Sequence, residues 1–412
     1  MIQRPEYLKK LSAFKDRQLV KIVTGIRRCG KSTLFKLYQE ALLQQGVAPR
    51  QIQTINLEDV DNEHLLDYKA LHAHIKKHLV PNRQNYIFLD EVQNVACFEK
   101  AVRSLFDKGN TDIYLTGSNS KLQSGEWATS LAGRHVEIHV FPLSFKEYVS
   151  AATTQKTTIT TSGLDPLYAH YTGYGGFPYT LQFRKPGANG FEWDAAAVRD
   201  YLSGIYNSIV LKDVAESKNF KDLGRLERVL KCMAGNIGSE TSIKKISDTM
   251  TSDGMKILPP LVESYLDAFR SSYVLYRADR YDVKGKKLLK TLNKFYLVDA
   301  GLRRLLLGNK AADTGFMLEN VVYLELLRRG HNVYIGKVGE REVDFVVEGA
   351  NGIEYYQVAE TVRAKETLAR ELAALDAIKD HHPKFLLTRD YESVNHNGIQ
   401  QRNVLEWLAG DS

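Results

Sequence analysis

QLVKIVTGIRRCGKST, Gln18 to Thr33, is the stretch that decides the fold. Leu19 to Thr24 is apolar and β-branched, Gly25-Ile26-Arg27-Arg28-Cys29-Gly30-Lys31-Ser32 follows, and LFKLYQEALLQQ then has helical apolar spacing. A match to G-x-x-x-x-G-K-[ST] between strand and helix is the setting of a phosphate-binding loop. Gly25 and Gly30 permit a tight turn whose successive N–H groups point at the β-phosphate, and the helix starting near Lys31 adds its positive dipole end. Gly25, Arg28, Cys29, Gly30, Lys31, Ser32 and Thr33 are therefore the expected nucleotide-binding residues. Lys31 is expected to reach the β/γ oxygens and Ser32 to ligate Mg²⁺.

Outward from this loop the pattern alternates strand and helix, as in an α/β fold with a parallel sheet. A lead-in helix, EYLKKLSAF, precedes the loop, and IQTINLED, Ile52 to Asp59, reads as a strand ending in acids. In NYIFLDEVQNV, the apolar run Tyr86 to Leu89 belongs to a strand buried on both faces, with Asp90 and Glu91 at its carboxyl end, where ligands collect. This is a Walker B pattern: Asp90 is the expected Mg²⁺ residue and Glu91 the carboxylate that activates water. TDIYLTGSNS is a further buried strand with a polar tip. Asn119 is the chosen γ-phosphate sensor there, with Ser118 and Thr116 as competitors. Arg134, ahead of the strand His135 to Val140, is the arginine-finger candidate, acting in cis or on a neighbouring subunit.

The loop GIRRCGKS, then FLDEVQ, YLTGSNSKL and SLAGRHVEIHVFPLSFKEY, in this order and spacing, resemble a family of bacterial and archaeal AAA-like P-loop ATPases with a C-terminal restriction-endonuclease-like domain. The resemblance runs over essentially the whole chain and implies ATP binding and hydrolysis. It also implies a hinge at Gly175-Gly176-Phe177-Pro178. An arginine that the family carries after a Lys-Asp-Val stretch is missing from Lys212-Asp213-Val214-Ala215-Glu216-Ser217, which leaves more weight on Arg134.

Four domains are expected: an ATPase core at 1–150, a helical lid at 151–222, a winged helix at 223–300 and a nuclease-like domain at 301–412. In the third, Ser242 reads as a helix cap, ILPPLVESYLDAFRSS as a recognition helix, and the turn around Val283 to Lys287 as a basic wing. On DNA such a wing would set Lys284, Lys286 and Lys287 against phosphates; as a protein-docking module it would not. In the fourth, Glu319 on a helix with Asp344 and Gln357 on strands resemble the PD-(D/E)xK nucleases, but the lysine position is Ala359. Glu360 points to the opposite strand face and cannot restore the triad, and nothing positions Lys337 or Lys365 there. A nuclease fold without nuclease activity is expected.

Bulk properties narrow the field. The chain has 412 residues, 43 % hydrophobic, and no apolar run of membrane-spanning length; with no apolar signal segment at its start, the expectation is a cytoplasmic protein. Cys29, Cys97 and Cys232 have no C-x-x-C spacing and predict neither disulfide nor zinc site. Net charge is +7, and Lys218 to Ala300 holds 16 Lys/Arg against 10 Asp/Glu, an excess suited to a polyanion partner. No N-K-x-D motif for guanine appears, so ATP with Mg²⁺ is the expected ligand. An ATP-regulated nuclease and a nucleotide-gated binding protein remain as alternatives, and a homo-oligomer is required if Arg134 acts in trans.

Overall fold

A computed structural model describes residues 1–117, 131, 133–153, 160–187, 190–215, 218–308, 314–350 and 352–410. It resolves into two compact units, Met1–Pro142 and Leu143–Ser412.

The first unit runs α1 (Pro5–Ala13), β1 (Val20–Thr24), α2 (Lys31–Gln44), β2 (Ile52–Asn56), α3 (Tyr68–Lys77), β3 (Asn85–Asp90), α4 (Phe98–Phe106), β4 (Thr111–Thr116) and β5 (His135–His139). All five strands are parallel, in the order β2-β3-β4-β1-β5. Every residue of β1 and β3 is buried, as strands covered by helices on both faces must be. Ile22, Ile87, Leu89, Val102, Leu105, Ile113 and Leu115 share one core cluster. Because β4 lies between β1 and β3, the turn after β1 and the acids after β3 face each other across its polar tip. At the opposite edge Lys21 bonds Asp112, both fully buried, and Tyr114 donates to the same carboxylate at 2.8 Å.

The second unit begins with α5 (Phe145–Ala152), opened by a reciprocal Ser144–Glu147 capping box, and α6 (Thr161–Tyr174). A small hairpin follows, β6 (Arg184–Gly187) and β7 (Gly190–Trp193), then α7 (Ala195–Ser208), α8 (Leu223–Gly235), α9 (Ile243–Ser252) and α10 (Pro259–Ser271). Ser242 caps α9 as expected, accepting the Lys245 N–H at 3.1 Å. Next come β8 (Leu275–Asp282), β9 (Lys287–Leu297), α11 (Ala300–Leu307), α12 (Thr314–Arg328), β10 (Asn332–Val338), β11 (Arg341–Gly349) and β12 (Gly352–Ala359). The chain closes with α13 (Lys365–Asp376), β13 (Lys384–Thr388), β14 (Asn395–His396), β15 (Ile399–Asn403) and α14 (Val404–Ala409).

Eight of these strands form one sheet, β14-β15-β13-β12-β11-β10-β8-β9. The β8–β9 hairpin, expected as the wing of a separate domain, is its last two strands. β8 pairs in parallel with β10, Arg280 opposite Ile335. Residues on either side of 300 thus share a sheet, through a pairing between strands too distant in sequence for local patterning to announce.

The Gly175-Gly176 turn is held by Asp299, whose carboxylate accepts the Gly176 N–H at 2.6 Å and, at the start of α11, the Leu302 N–H at 3.1 Å. Gly175 has φ +80°, and a Cβ there would lie 2.2 Å from Asp299 Oδ1, so both conformation and space demand glycine. Burial pushes the Asp299 carboxyl up to about 6 even with these donors. No helix among the described residues is long and apolar enough to cross a membrane.

Candidate functional site

The loop after β1 has the backbone its sequence requires. Gly25 sits at φ +139°, where a Cβ would be 2.1 Å from the Val140 carbonyl oxygen, and Gly30 at φ +104°. Arg28 is also left-handed, at φ 65°. Left-handed residues spaced this way turn backbone N–H groups into an anion-binding concavity, here at the first turn of α2. Lys31 is buried, and its ammonium donates to the carbonyls of Gly25 at 2.9 Å and Ile26 at 3.3 Å. Cys29 is fully buried, and burial pushes its thiol up despite the nearby charges of Lys31 and Arg4. It is a filler rather than a nucleophile.

Arg4 carries little signal in the sequence. It is 5 % exposed and donates to the Cys29 carbonyl at 3.1 Å and the Phe141 carbonyl at 3.0 Å, while the Tyr7 hydroxyl accepts the Phe141 N–H at 3.2 Å. The lead-in helix α1 therefore clamps the phosphate loop to the end of the sheet. An R-P-x-Y at the head of an amphipathic helix is the sequence signal for it.

Opposite the loop, the Thr116 hydroxyl donates to Asp90 Oδ1 and accepts the Glu91 N–H at 2.9 Å. One hydroxyl at the tip of β4 thus ties both acids together. Glu91 adopts φ 54°, ψ 50°, left-handed and uncommon for a residue with a side chain. Gln93 Nε2 donates to its Oε2 at 2.5 Å. Glu91 stands close enough to the loop for its charge to act on the buried Cys29 thiol. Asp90 and the Ser32 hydroxyl are hard oxygen donors of the kind Mg²⁺ takes. No group of three or more His, Cys, Asp or Glu among the described residues could hold a metal alone, so phosphate and water must complete any coordination shell.

A second polar cluster lies in the Leu143–Ser412 unit. Asp344 Oδ2 accepts the Val358 N–H at 2.8 Å, the Asp344 N–H reaches Gln357 Oε1 at 3.3 Å, and Gln357 Nε2 donates to Glu371 at 2.8 Å. Glu319 accepts from the Tyr296 hydroxyl at 2.6 Å. The cation is Lys294 of β9, 3.0 Å from Glu319 and 2.6 Å from Glu342, with 4 % of its side chain exposed. Neither Lys337 nor Lys365 fills this role. Glu360 lies just past the end of β12, paired with Arg389 at 3.3 Å. Burial alone would lower the Lys294 ammonium, yet the charges of Glu319, Asp344 and Glu342 hold it above the usual lysine range. Burial outweighs Lys294 at Glu319, whose carboxyl is raised, and raises Asp344 still further with the help of the Glu319 charge.

Residues 17–149 match the AAA domain family, and residues 165–313 match a domain of unknown function, DUF8612. An uncharacterized protein of Haemophilus influenzae is 38 % identical over 411 residues, which are 99 % of this chain and 98 % of that protein. The chain belongs to a family of AAA-like P-loop ATPases. An uncharacterized protein of Methanocaldococcus jannaschii is 29 % identical over 94 % of this chain and 86 % of its own length. The solved structure of a Walker-type ATPase of Pyrococcus abyssi is similar in fold, with a TM-score of 0.50 at 15 % identity, over 74 % of this chain and 96 % of that one.

Within this AAA-like ATPase, Asn119 and Ser118 lie outside the described residues, and Thr116 is the sensor candidate seen in contact with the acids. Arg134 corrects an expectation. His135 pairs with Val20 and His139 with Thr24, so Arg134 precedes β5 at the edge of the sheet opposite the phosphate loop. Its carbonyl bonds the Val20 N–H, and its guanidinium meets Asp107 at 3.6 Å. The length of a five-residue strand, about 16 Å, separates it from the loop, so it does not serve its own γ-phosphate. Arg134→Ala, assayed at a concentration where the protein sediments as a monomer, should leave ATP turnover within about twofold of wild type, since exposed ion pairs contribute about 0–1 kcal/mol; a tenfold loss there would show a cis role after all.

Proposed function

We propose that this protein is a Mg²⁺-dependent ATP hydrolase whose turnover drives rearrangement of the Leu143–Ser412 unit. The observation that carries the reading is the pair of acids joined through Thr116, set across β4 from the loop that holds Lys31. Lys31 exchanges the carbonyls of Gly25 and Ile26 for the β/γ oxygens of ATP. Glu91 takes the proton of the attacking water, and Thr116 keeps Asp90 and Glu91 in register. Asp90 and Ser32 would hold Mg²⁺, which would supply charge neutralisation at the phosphates. Arg134 is left with a role only in the site of a neighbouring subunit of a homo-oligomer. The test is steady-state phosphate release with and without chelator; no ATP turnover under any condition overturns the reading.

DNA is the partner we propose for the second unit, on the strength of Lys284, Lys286 and Lys287, all exposed at the tip of the β8–β9 hairpin. If it binds there, replacing all three by glutamine should flatten the dependence of log affinity on log salt by about 0.9 for every phosphate no longer neutralised, measured on duplex DNA between about 50 and 200 mM salt. An unchanged slope would move the DNA surface elsewhere, and no binding at low salt would favour a protein partner. We read the Glu319–Asp344–Gln357 cluster as structural, not nucleolytic, because its acids are buried and bonded by donors of the fold itself: Lys294 and the Tyr296 hydroxyl at Glu319, and the Val358 N–H at Asp344.

A further inference from the structure

Gln93 lies two residues beyond Glu91, on the short turn Val92–Asn94. Its amide is used at one end only. Nε2 donates to Glu91 Oε2 at 2.5 Å, whereas Oε1 is sealed from solvent with no hydrogen-bond partner among the described residues. Exchanging the two ends of the amide gives no relief, because the carbonyl would then oppose a carboxylate, acceptor against acceptor.

A buried carbonyl without a partner destabilises the fold, and a leucine would fill nearly the same space with no orphaned atom. That cost stands against whatever the bond to Glu91 contributes, so folding gains little from an amide here. What the amide does provide is a fixed donor for one carboxylate oxygen at a backbone position, φ 54°, that side chains seldom occupy. Glutamate carries three rotatable side-chain bonds, and a base that must meet water in line works only when those bonds are held.

We infer that Gln93 is a positioning residue for hydrolysis: its Nε2 hydrogen bond fixes the Glu91 carboxylate against the attacking water, and the chain gives up stability to keep it. This rests on the reading of Glu91 as the base. Thr116 acts on the Glu91 backbone and on Asp90, so the two supports are separate.

The experiment compares wild type, Gln93→Leu, Gln93→Met, Glu91→Asp and the double variant Glu91→Asp/Gln93→Leu, using Mg²⁺-ATP. Both single Gln93 variants should lose about 10–100-fold in kcat, the usual effect of removing a group that orients a site residue. Their KM for ATP should stay within about twofold and their unfolding midpoints should match or exceed wild type. Lower turnover with undiminished stability is a combination that a merely structural glutamine cannot give. In Glu91→Asp the shortened carboxylate is beyond reach of the amide, so adding Gln93→Leu should cause no further loss. Unchanged kcat in the Gln93 variants, a lowered unfolding midpoint, or losses that multiply in the double variant would each overturn the inference. Wild-type turnover in Glu91→Gln would instead overturn the assignment of the base, whatever the Gln93 variants do.

Discussion

Glu91→Gln is expected to reduce ATP turnover by about 10²–10⁴-fold, the span that loss of a positioned general base produces, while ATP binding stays within about twofold. Glutamine keeps the size of the side chain and its ability to accept one hydrogen bond, but cannot take a proton from water. Binding is the work of other groups: the turn from Gly25 to Gly30, the start of α2 and Lys31, none of which the substitution touches. Lys31→Ala should behave in the opposite sense and weaken ATP affinity itself, because the buried ammonium beside the Gly25 carbonyl is the positive charge expected to meet the β- and γ-phosphates. Paired measurements, nucleotide titration at equilibrium and steady-state phosphate release, separate these outcomes. Equal turnover in wild type and Glu91→Gln would remove Glu91 from the mechanism.

How much of this was legible in the residues depends on whether the signal was local. The strand–loop–helix around Lys31 and the buried strand ending in Asp90-Glu91 are local, and β1, α2 and β3 lie where those patterns put them. The tip of β4 was legible only in part: polar residues after a buried strand marked the place, but which hydroxyl bonds the acids depends on register against β3, and Thr116 emerges from that register. Arg134 misled because a glycine before it and a strand after it do not say whether that strand runs parallel to β1, and only a parallel strand puts the residue ahead of it at the end away from the phosphate loop. Pairing of His135 with Val20 answers that question, and pairing is long-range. Arg4 stands 25 residues from the carbonyl it bonds and in sequence looks like any charge preceding a helix. Lys294 was hidden in the same way: it read as one lysine of a basic hairpin until that hairpin proved to be an edge of the sheet carrying Asp344.

Lys294 also carries a large expected effect on stability. Lys294→Met should destabilise the Leu143–Ser412 unit by about 3–5 kcal/mol near neutral pH, the typical cost of stripping the partner from a buried charge. Methionine fills the space of the lysine stem, so little of the loss comes from packing. What remains is a pocket with Glu319 and Asp344 buried, Glu342 beside them and no ammonium among them. The pH dependence follows from the direction in which these carboxyls already lie. Burial raises both Glu319 and Asp344 above the ordinary carboxylate range of about 4, and removing Lys294 takes away the group that opposes this. The folded variant therefore holds protons that the unfolded chain releases. Its stability is greatest at acid pH and falls as pH rises from about 4 through the raised folded values. Urea unfolding followed by tryptophan fluorescence, to which Trp193 and Trp407 of this unit contribute, should show a larger gap between variant and wild type at pH 8 than at pH 5. Adding Glu319→Gln should recover part of the loss at pH 8, because a neutral amide needs no counter-ion there. If Lys294→Met unfolds like wild type at both pH values, the ammonium does not neutralise this cluster, and the case for a structural rather than a nucleolytic site goes with it.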